Sequence, residues 1–315
     1  MSNRRFAITA FVVAFALIGA SLAIENAYFF TAAYAVLVFV ILATAWNILG
    51  GYTGYVNFGT PAFFAIGAYT TVFLYNAFQA PLIVDIVCGT AVAGLAGLAV
   101  GYLTLRLRGV FFAIATLALA VVLLTFIVNW TYVGGARGAY VITRGDAPFG
   151  LASWKHYLYV VIAVLATVAI VVARLLERSK IGRGLAAIRD DELAAECSGV
   201  PTLRLKLLSA AASCGLMGMA GTTYPYFYAY TEPLSIFSLS YAVNAIAMPM
   251  IGGMTSWVGP LIGALLLGTL QQLVQVTIAS DLNLLITGLL LVLFVTLAPN
   301  GILGWFDAWK RRRKR

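Results

Sequence analysis

Apolar runs long enough to cross a bilayer follow one another along almost the whole chain, and charge is confined to the gaps between them. The runs cover residues 6–24, 28–49, 62–78, a stretch from 82 to about 105, 110–130, 156–173, 207–228, 237–251, 261–279 and 282–297. A transmembrane helix needs about 20 predominantly apolar residues. The pattern therefore predicts an all-α fold, a polytopic transmembrane helical bundle of about ten spans. Composition agrees: 62% of the 315 residues are hydrophobic and 10% are charged, against about 25% charged in a soluble domain. A single domain over 1–315 is expected. The run 6–24 exceeds the roughly 7–15 apolar residues of a signal-peptide core and is read as a retained first span.

Twelve of the 31 formal charges fall in the 33 residues 174–206. The net charge of +9 does not point to nucleic acid, because the basic residues lie beside spans, where they set orientation. With the N-terminus in the cytoplasm, 17 of the 20 Lys and Arg fall inside, and only Arg137, Arg144 and Lys155 fall outside. Both termini are thus expected in the cytoplasm, with a basic tail over 307–315. The boundary between the eighth and ninth spans carries no charge to mark it.

The remaining chemistry is sparse. Cys88, Cys197 and Cys214 show no metal-ligand spacing, and His156 is the only histidine, so no metal site is predicted. No Gly-Lys dipeptide occurs, so the chain has no phosphate-cradling loop. No nucleophile–base pair is evident, and no catalytic residue is assigned. Asp85 lies within an apolar run near its outer end, where interfacial solvation accounts for it. Asn47, Asn57, Asn129, Asn244, Gln271, Gln272 and Gln275 either line a polar route or hydrogen-bond between helices. Gly89, Gly94, Gly97 and Gly101 along the fourth span suit close helix packing. Tyr224–Tyr228 reads as an interfacial aromatic belt. Two glycine-rich turns, 50–61 and 252–260, are expected to interrupt the spans, and irregular backbone at membrane depth marks solute routes. Gly51, Gly54, Asn57, Thr60, Asn244, Gly252 and Gly253 are the candidate path residues.

Within 174–206, Gly182 and Gly184 are expected to break the chain and 185–189 to form a short helix. Asp190 or Asp191 suits an N-cap, followed by Glu192. Leu193, Cys197 and Val200 share a face, Gly199 is a stop and Pro201 prevents continuation. Two short helices with an apolar stripe are expected below the membrane, either as a docking surface or packed under their own bundle.

These motifs resemble the permease subunits of ABC importers of the branched-chain amino acid type. Residues 179–196 resemble that family's cytoplasmic coupling loop, with Gly199 at the loop's glycine. The segments 51–54 and 62–70 resemble its first glycine-rich signature. Those at 252–260 and 263–264 resemble its second, and Pro299-Asn300-Gly301 resembles the closing Pro-x-Gly. The run 106–117 resembles the LivM-type permease more than its LivH-type companion. Two departures, Asn57-Phe58-Gly59-Thr60 and Gly134-Gly135-Ala136-Arg137-Gly138 followed by Ala139-Tyr140, leave the solute open among a branched-chain amino acid, urea, an amide, an aromatic compound and an organic acid. The resemblance implies an inner-membrane subunit in a lipid bilayer. Its partners would be a second homologous permease subunit, two cytoplasmic ATPase subunits that bind ATP and Mg, and an external solute-binding protein. The chain itself would hold no cofactor. Arg189, Asp190, Asp191, Glu192, Leu193, Ala194, Ala195, Glu196 and Gly199 would receive the ATPase motion. The rival reading is an ion-coupled secondary transporter working without ATPase partners.

Overall fold

A computed structural model describes residues 3–21, 26–107, 109–142, 153–277, 288–289, 292 and 301–304. Apart from 288–289 and 292, the expected tenth span lies outside these residues, as do Pro299, Asn300 and the basic tail 307–315. Among the described residues, six helices are long and apolar enough to cross a membrane: Tyr28–Thr53, Leu82–Thr104, Val110–Asn129, Trp154–Arg178, Thr202–Tyr228 and Pro233–Gly252. The fold is an all-α polytopic bundle.

In chain order the long helices are α1 (Asn3–Ser21), α2 (Ala27–Thr53), α3 (Thr60–Phe78), α4 (Leu82–Thr104), α5 (Val110–Asn129) and α6 (Trp154–Arg178). Two short helices follow, α7 (Lys180–Asp190) and α8 (Glu192–Cys197). The rest are α9 (Thr202–Gly221), α10 (Tyr224–Tyr228), α11 (Pro233–Ile236), α12 (Leu239–Gly252) and α13 (Val258–Thr277). The uncharged boundary near residue 252 is a true helix end: α12 stops at Gly252, and Gly253 takes φ +119°, a conformation that favours glycine.

A helix apolar on every side belongs in a protein core or in lipid. α2 takes the first place and α4 and α5 the second: 61% of the α2 window is buried, against 22% for each of the other two. Ile41, Leu42, Ala43, Ala45 and Ile48 of α2 are fully buried. α4 meets α9 along Asp85, Gly89, Ala93, Gly97 and Gly101, its buried stripe at every fourth residue. A Cβ on Gly89 or Gly97 would run into Thr222 or Cys214, so close approach explains these glycines, as their spacing predicts.

Chain direction alternates through the bundle, so α7, α8 and the turns after α2 and α12 share one end, the charged end. Phe6 of α1 is there too: its ring meets Trp257 with centroids 4.7 Å apart and lies 3.6 Å from the Arg174 guanidinium carbon. At the opposite end a two-residue antiparallel ladder joins β1 (Ala139–Tyr140) to β2 (Tyr230–Thr231), pairing Ala139 with Thr231 and Tyr140 with Tyr230.

One reading of the sequence changes and another is divided. In the aromatic cluster after α9, Phe227 is buried and stacked on Tyr34 at 3.7 Å and 3°, while Tyr228 is 45% exposed. Asp85 is fully buried and accepts a 2.8 Å hydrogen bond from the Tyr226 hydroxyl. A carboxylate facing lipid lacks such a donor, which is why both side chains turn into the protein.

Candidate functional site

The charged end is built on α7 and α8. Ser179 starts α7, its hydroxyl accepting from the Gly182 N–H at 3.1 Å. Gly182 and Gly184 therefore lie inside a helix instead of breaking one. Their lack of side chains serves packing: a Cβ on Gly182 would strike the carbonyls of Leu176 and Glu177, and one on Gly184 would strike Leu205. Leu185 and Ile188 are buried beneath the helix. Asp191 caps α8, its carboxylate accepting from the Leu193 and Ala194 N–H groups at 2.9 and 3.0 Å. Gly199 follows at φ +82°, the left-handed conformation expected of a helix stop.

α8 has one anchored side and one open side. Glu192 pairs with Lys206 at 2.7 Å, the two side chains only 14% and 5% exposed. The Tyr55 hydroxyl donates to the other Glu192 oxygen at 2.8 Å, and Lys206 donates to the Leu105 carbonyl and the Tyr55 oxygen at 3.1 Å each. Burial pushes the Tyr55 phenol above its ordinary pKa, against the Lys206 bond that lowers it, so the phenol keeps its proton to donate. Every ion in the cluster is partnered, as burial demands. On the open side Leu193 is 59% exposed, and Ala194, Glu196 and Cys197 are exposed beside it. Ala195 is the residue of α8 that turns inward. Glu196 accepts from the Thr202 hydroxyl at 2.7 Å. Arg189 pairs with Asp190 at 3.2 Å, an exposed contact of little energetic weight, and reaches the Gly51 carbonyl at 3.5 Å.

The two glycine-rich turns converge under this segment. A Cβ on Gly51 would meet the Met254 carbonyl, one on Gly252 the Gly259 carbonyl, and one on Gly301 the backbone of Gly253. The Glu177 carboxylate ties them, accepting from the Trp257 N–H at 2.6 Å and the Tyr52 hydroxyl at 3.3 Å. Gly54 ends α2 at φ +80° against the Arg189 side chain. Asn57 is buried, its carbonyl accepting from the Trp46 indole at 2.8 Å and its side chain from the Gly59 N–H at 2.7 Å. Thr60, also buried, begins α3. Six of the seven candidate path residues are thus at the charged end.

Asn244 is the exception. It lines a cavity of about 410 Å³ towards the opposite end, together with Tyr34, Tyr224, Tyr241 and Gln271. Lys206, Glu177, Tyr34 and Tyr241 were not singled out from the sequence, and Tyr224 and Tyr228 were read only as part of an aromatic belt. The signal for Lys206 was present: an ionisable residue on an apolar helix needs a partner.

Among the described residues no group of three or more His, Cys, Asp or Glu could hold a metal. Membrane-crossing helices, a polar cavity among them and a charged platform at one end define a multi-pass membrane transport protein. Residues 28–295 match the family described as the permease component of the branched-chain amino acid transport system, and the chain belongs to that family. It is 27% identical over 292 residues to the high-affinity branched-chain amino acid transport system permease protein LivM of Escherichia coli, covering 85% of this chain and 68% of that protein. The probable branched-chain amino acid transport permease protein LivH of Methanocaldococcus jannaschii is 26% identical over 292 residues, 87% of this chain and 90% of the relative. The ribose import permease protein RbsC of Haemophilus influenzae is 29% identical over 143 residues, 44% of each chain. No solved structure matches. Its relatives are transport permeases, not enzymes.

Proposed function

We propose that residues 1–315 form one domain, a permease subunit of an ATP-driven importer in a bacterial inner membrane. It has about ten spans and both termini in the cytoplasm, and it carries a branched-chain amino acid or a related small solute. A second homologous permease completes the pathway. An external solute-binding protein delivers the solute, and two cytoplasmic ATPase subunits hold ATP and Mg. The charged end faces those ATPases, and residues 189–199 receive their motion. The solute passes Asn244 and leaves past Gly51, Gly54, Asn57, Thr60, Gly252 and Gly253, where tight glycine packing closes the route.

The observation that carries this reading is the two-sidedness of α8. A helix fixed by a buried ion pair presents Leu193 and Cys197 to the outside, and a surface loop has no need of that face. Membrane vesicles containing all subunits test it. Leu193→Asp with Cys197→Asp, both exposed and tolerant of charge, is expected to abolish ATP-dependent uptake of L-leucine while the protein still inserts. Unchanged uptake would sink the coupling role. Uptake by the purified chain alone, driven by an ion gradient, would favour the secondary transporter instead.

A further inference from the structure

α1 lies on the rim of the bundle. It packs against α6, and away from that contact Ile8, Val12 and Phe15 are 55%, 61% and 77% exposed. Its start lies over the loop between α12 and α13, residues 253–257. There the Phe6 ring meets the Trp257 ring edge-on, with centroids 4.7 Å apart and planes at 64°. The Arg174 guanidinium of α6 lies against both rings, its carbon 3.6 Å from the Phe6 centre and 5.4 Å from the Trp257 centre. Arg174 is buried in this position.

The loop under this stack covers the glycine crossing. Backbone meets backbone there: the Gly253 carbonyl stands where a Cβ on Gly259 would be, and the Met254 carbonyl blocks a Cβ on Gly51. Asn47, buried beneath the loop, donates to the Ser256 carbonyl at 3.4 Å. Bare backbone surfaces fit closely but do not interlock, so side chains must hold the loop in place. Glu177 of α6 holds Trp257 by its backbone, accepting from the N–H at 2.6 Å. The Trp257 ring is held by Arg174 and Phe6, and Phe6 belongs to the rim helix.

A guanidinium taken out of water is stabilised by aromatic faces, and an edge-on ring pair adds its own attraction. Lifting α1 from the bundle removes one ring from Arg174 and one neighbour from Trp257, while the Glu177 bond stays. We infer that Phe6 and Arg174 form a latch on the 253–257 loop: docked, α1 keeps the glycine crossing shut, and displaced, it lets the loop swing away on the Glu177 tether. The inference rests on the permease reading, in which this crossing closes the solute's exit, and adds the element that regulates it.

The test uses the full chain in lipid nanodiscs and a water-soluble maleimide. Two single-cysteine chains are compared. One carries Asn47→Cys with Cys88, Cys197 and Cys214 replaced by alanine, and the other keeps only Cys214, buried where α9 packs on α4. Phe6→Ala is expected to speed labelling at position 47 at least about fivefold, through the lost ring and cation contacts, and to leave Cys214 slow. Phe6→Trp restores an aromatic face and is expected to return position 47 to the parent rate. Labelling at position 47 unchanged by Phe6→Ala, equal acceleration at Cys214, or no rescue by Phe6→Trp would overturn the latch. ATP-dependent uptake of L-leucine in vesicles with all subunits is read separately. Its absence, with labelling as expected, would remove the permease reading and leave the latch on the loop. Its presence, with labelling unchanged by Phe6→Ala, would remove the latch alone.

Discussion

The two ends of this bundle treat polarity in opposite ways. At the charged end, buried Lys206 and half-buried Glu192 pair at 2.7 Å, with Tyr55 and the Leu105 carbonyl as further partners. At the far end, the cavity is polar without a single ionised side chain among its described lining residues. The first arrangement suits a joint, because a satisfied buried pair holds one geometry and is costly to break. The second suits a stopping place, because neutral donors and acceptors bind a guest without trapping it.

Four single substitutions and one charge swap break or sharpen that contrast. Lys206→Met removes the ammonium from the Glu192 carboxylate and is expected to cost about 3–5 kcal/mol, read as a fall in the unfolding midpoint in detergent. The swap Glu192→Lys with Lys206→Glu should recover part of the loss, and no recovery would mean that shape, not pairing, matters there. Gly252→Ala drives a Cβ into the Gly259 carbonyl and should cost about 1–3 kcal/mol, with uptake reduced as the glycine crossing is forced apart. Asn244→Leu removes the bond from Gln271 at about 1 kcal/mol. Its main effect should be weaker L-leucine binding, measured on the purified chain. Leu193→Ser, on the exposed face of α8, should change stability by no more than about 0.5 kcal/mol. A large destabilisation would show that Leu193 packs inside its own subunit.

Much of the charged end was legible because its signals are local. Asp191 as cap, Gly199 as stop and the break at Gly253 each follow from a residue and its immediate neighbours. Gly182 and Gly184 misled for the same reason: local propensity reads glycine as a breaker, yet here it lets α7 cross the end of α6. The Lys206–Glu192–Tyr55 cluster was hidden because its members are 14 and 137 positions apart. Leu193 and Cys197 showed their common face in the spacing, but which side of α8 turned inward depended on Ala195 and Glu192 finding partners in other helices. The cavity was least legible. Asn244 could be picked as a polar residue in a span, but the tyrosines around it look like any aromatic run until α2, α10, α12 and α13 are brought together.

One helix leads from the Lys206–Glu192 pair towards the cavity. α9 carries Lys206 near its start, leads into α10 with the Tyr224 and Tyr228 of the cavity, and is joined to α4 along a stripe of small residues. Its 20 residues make a rod about 30 Å long. Tilting such a rod by about 4° around its middle moves each tip by about 1 Å, in opposite directions. That distance is comparable to the margin that separates a good hydrogen bond from a broken one. α9 therefore has the proportions of a seesaw beam: what presses on one tip is felt, reversed, at the other.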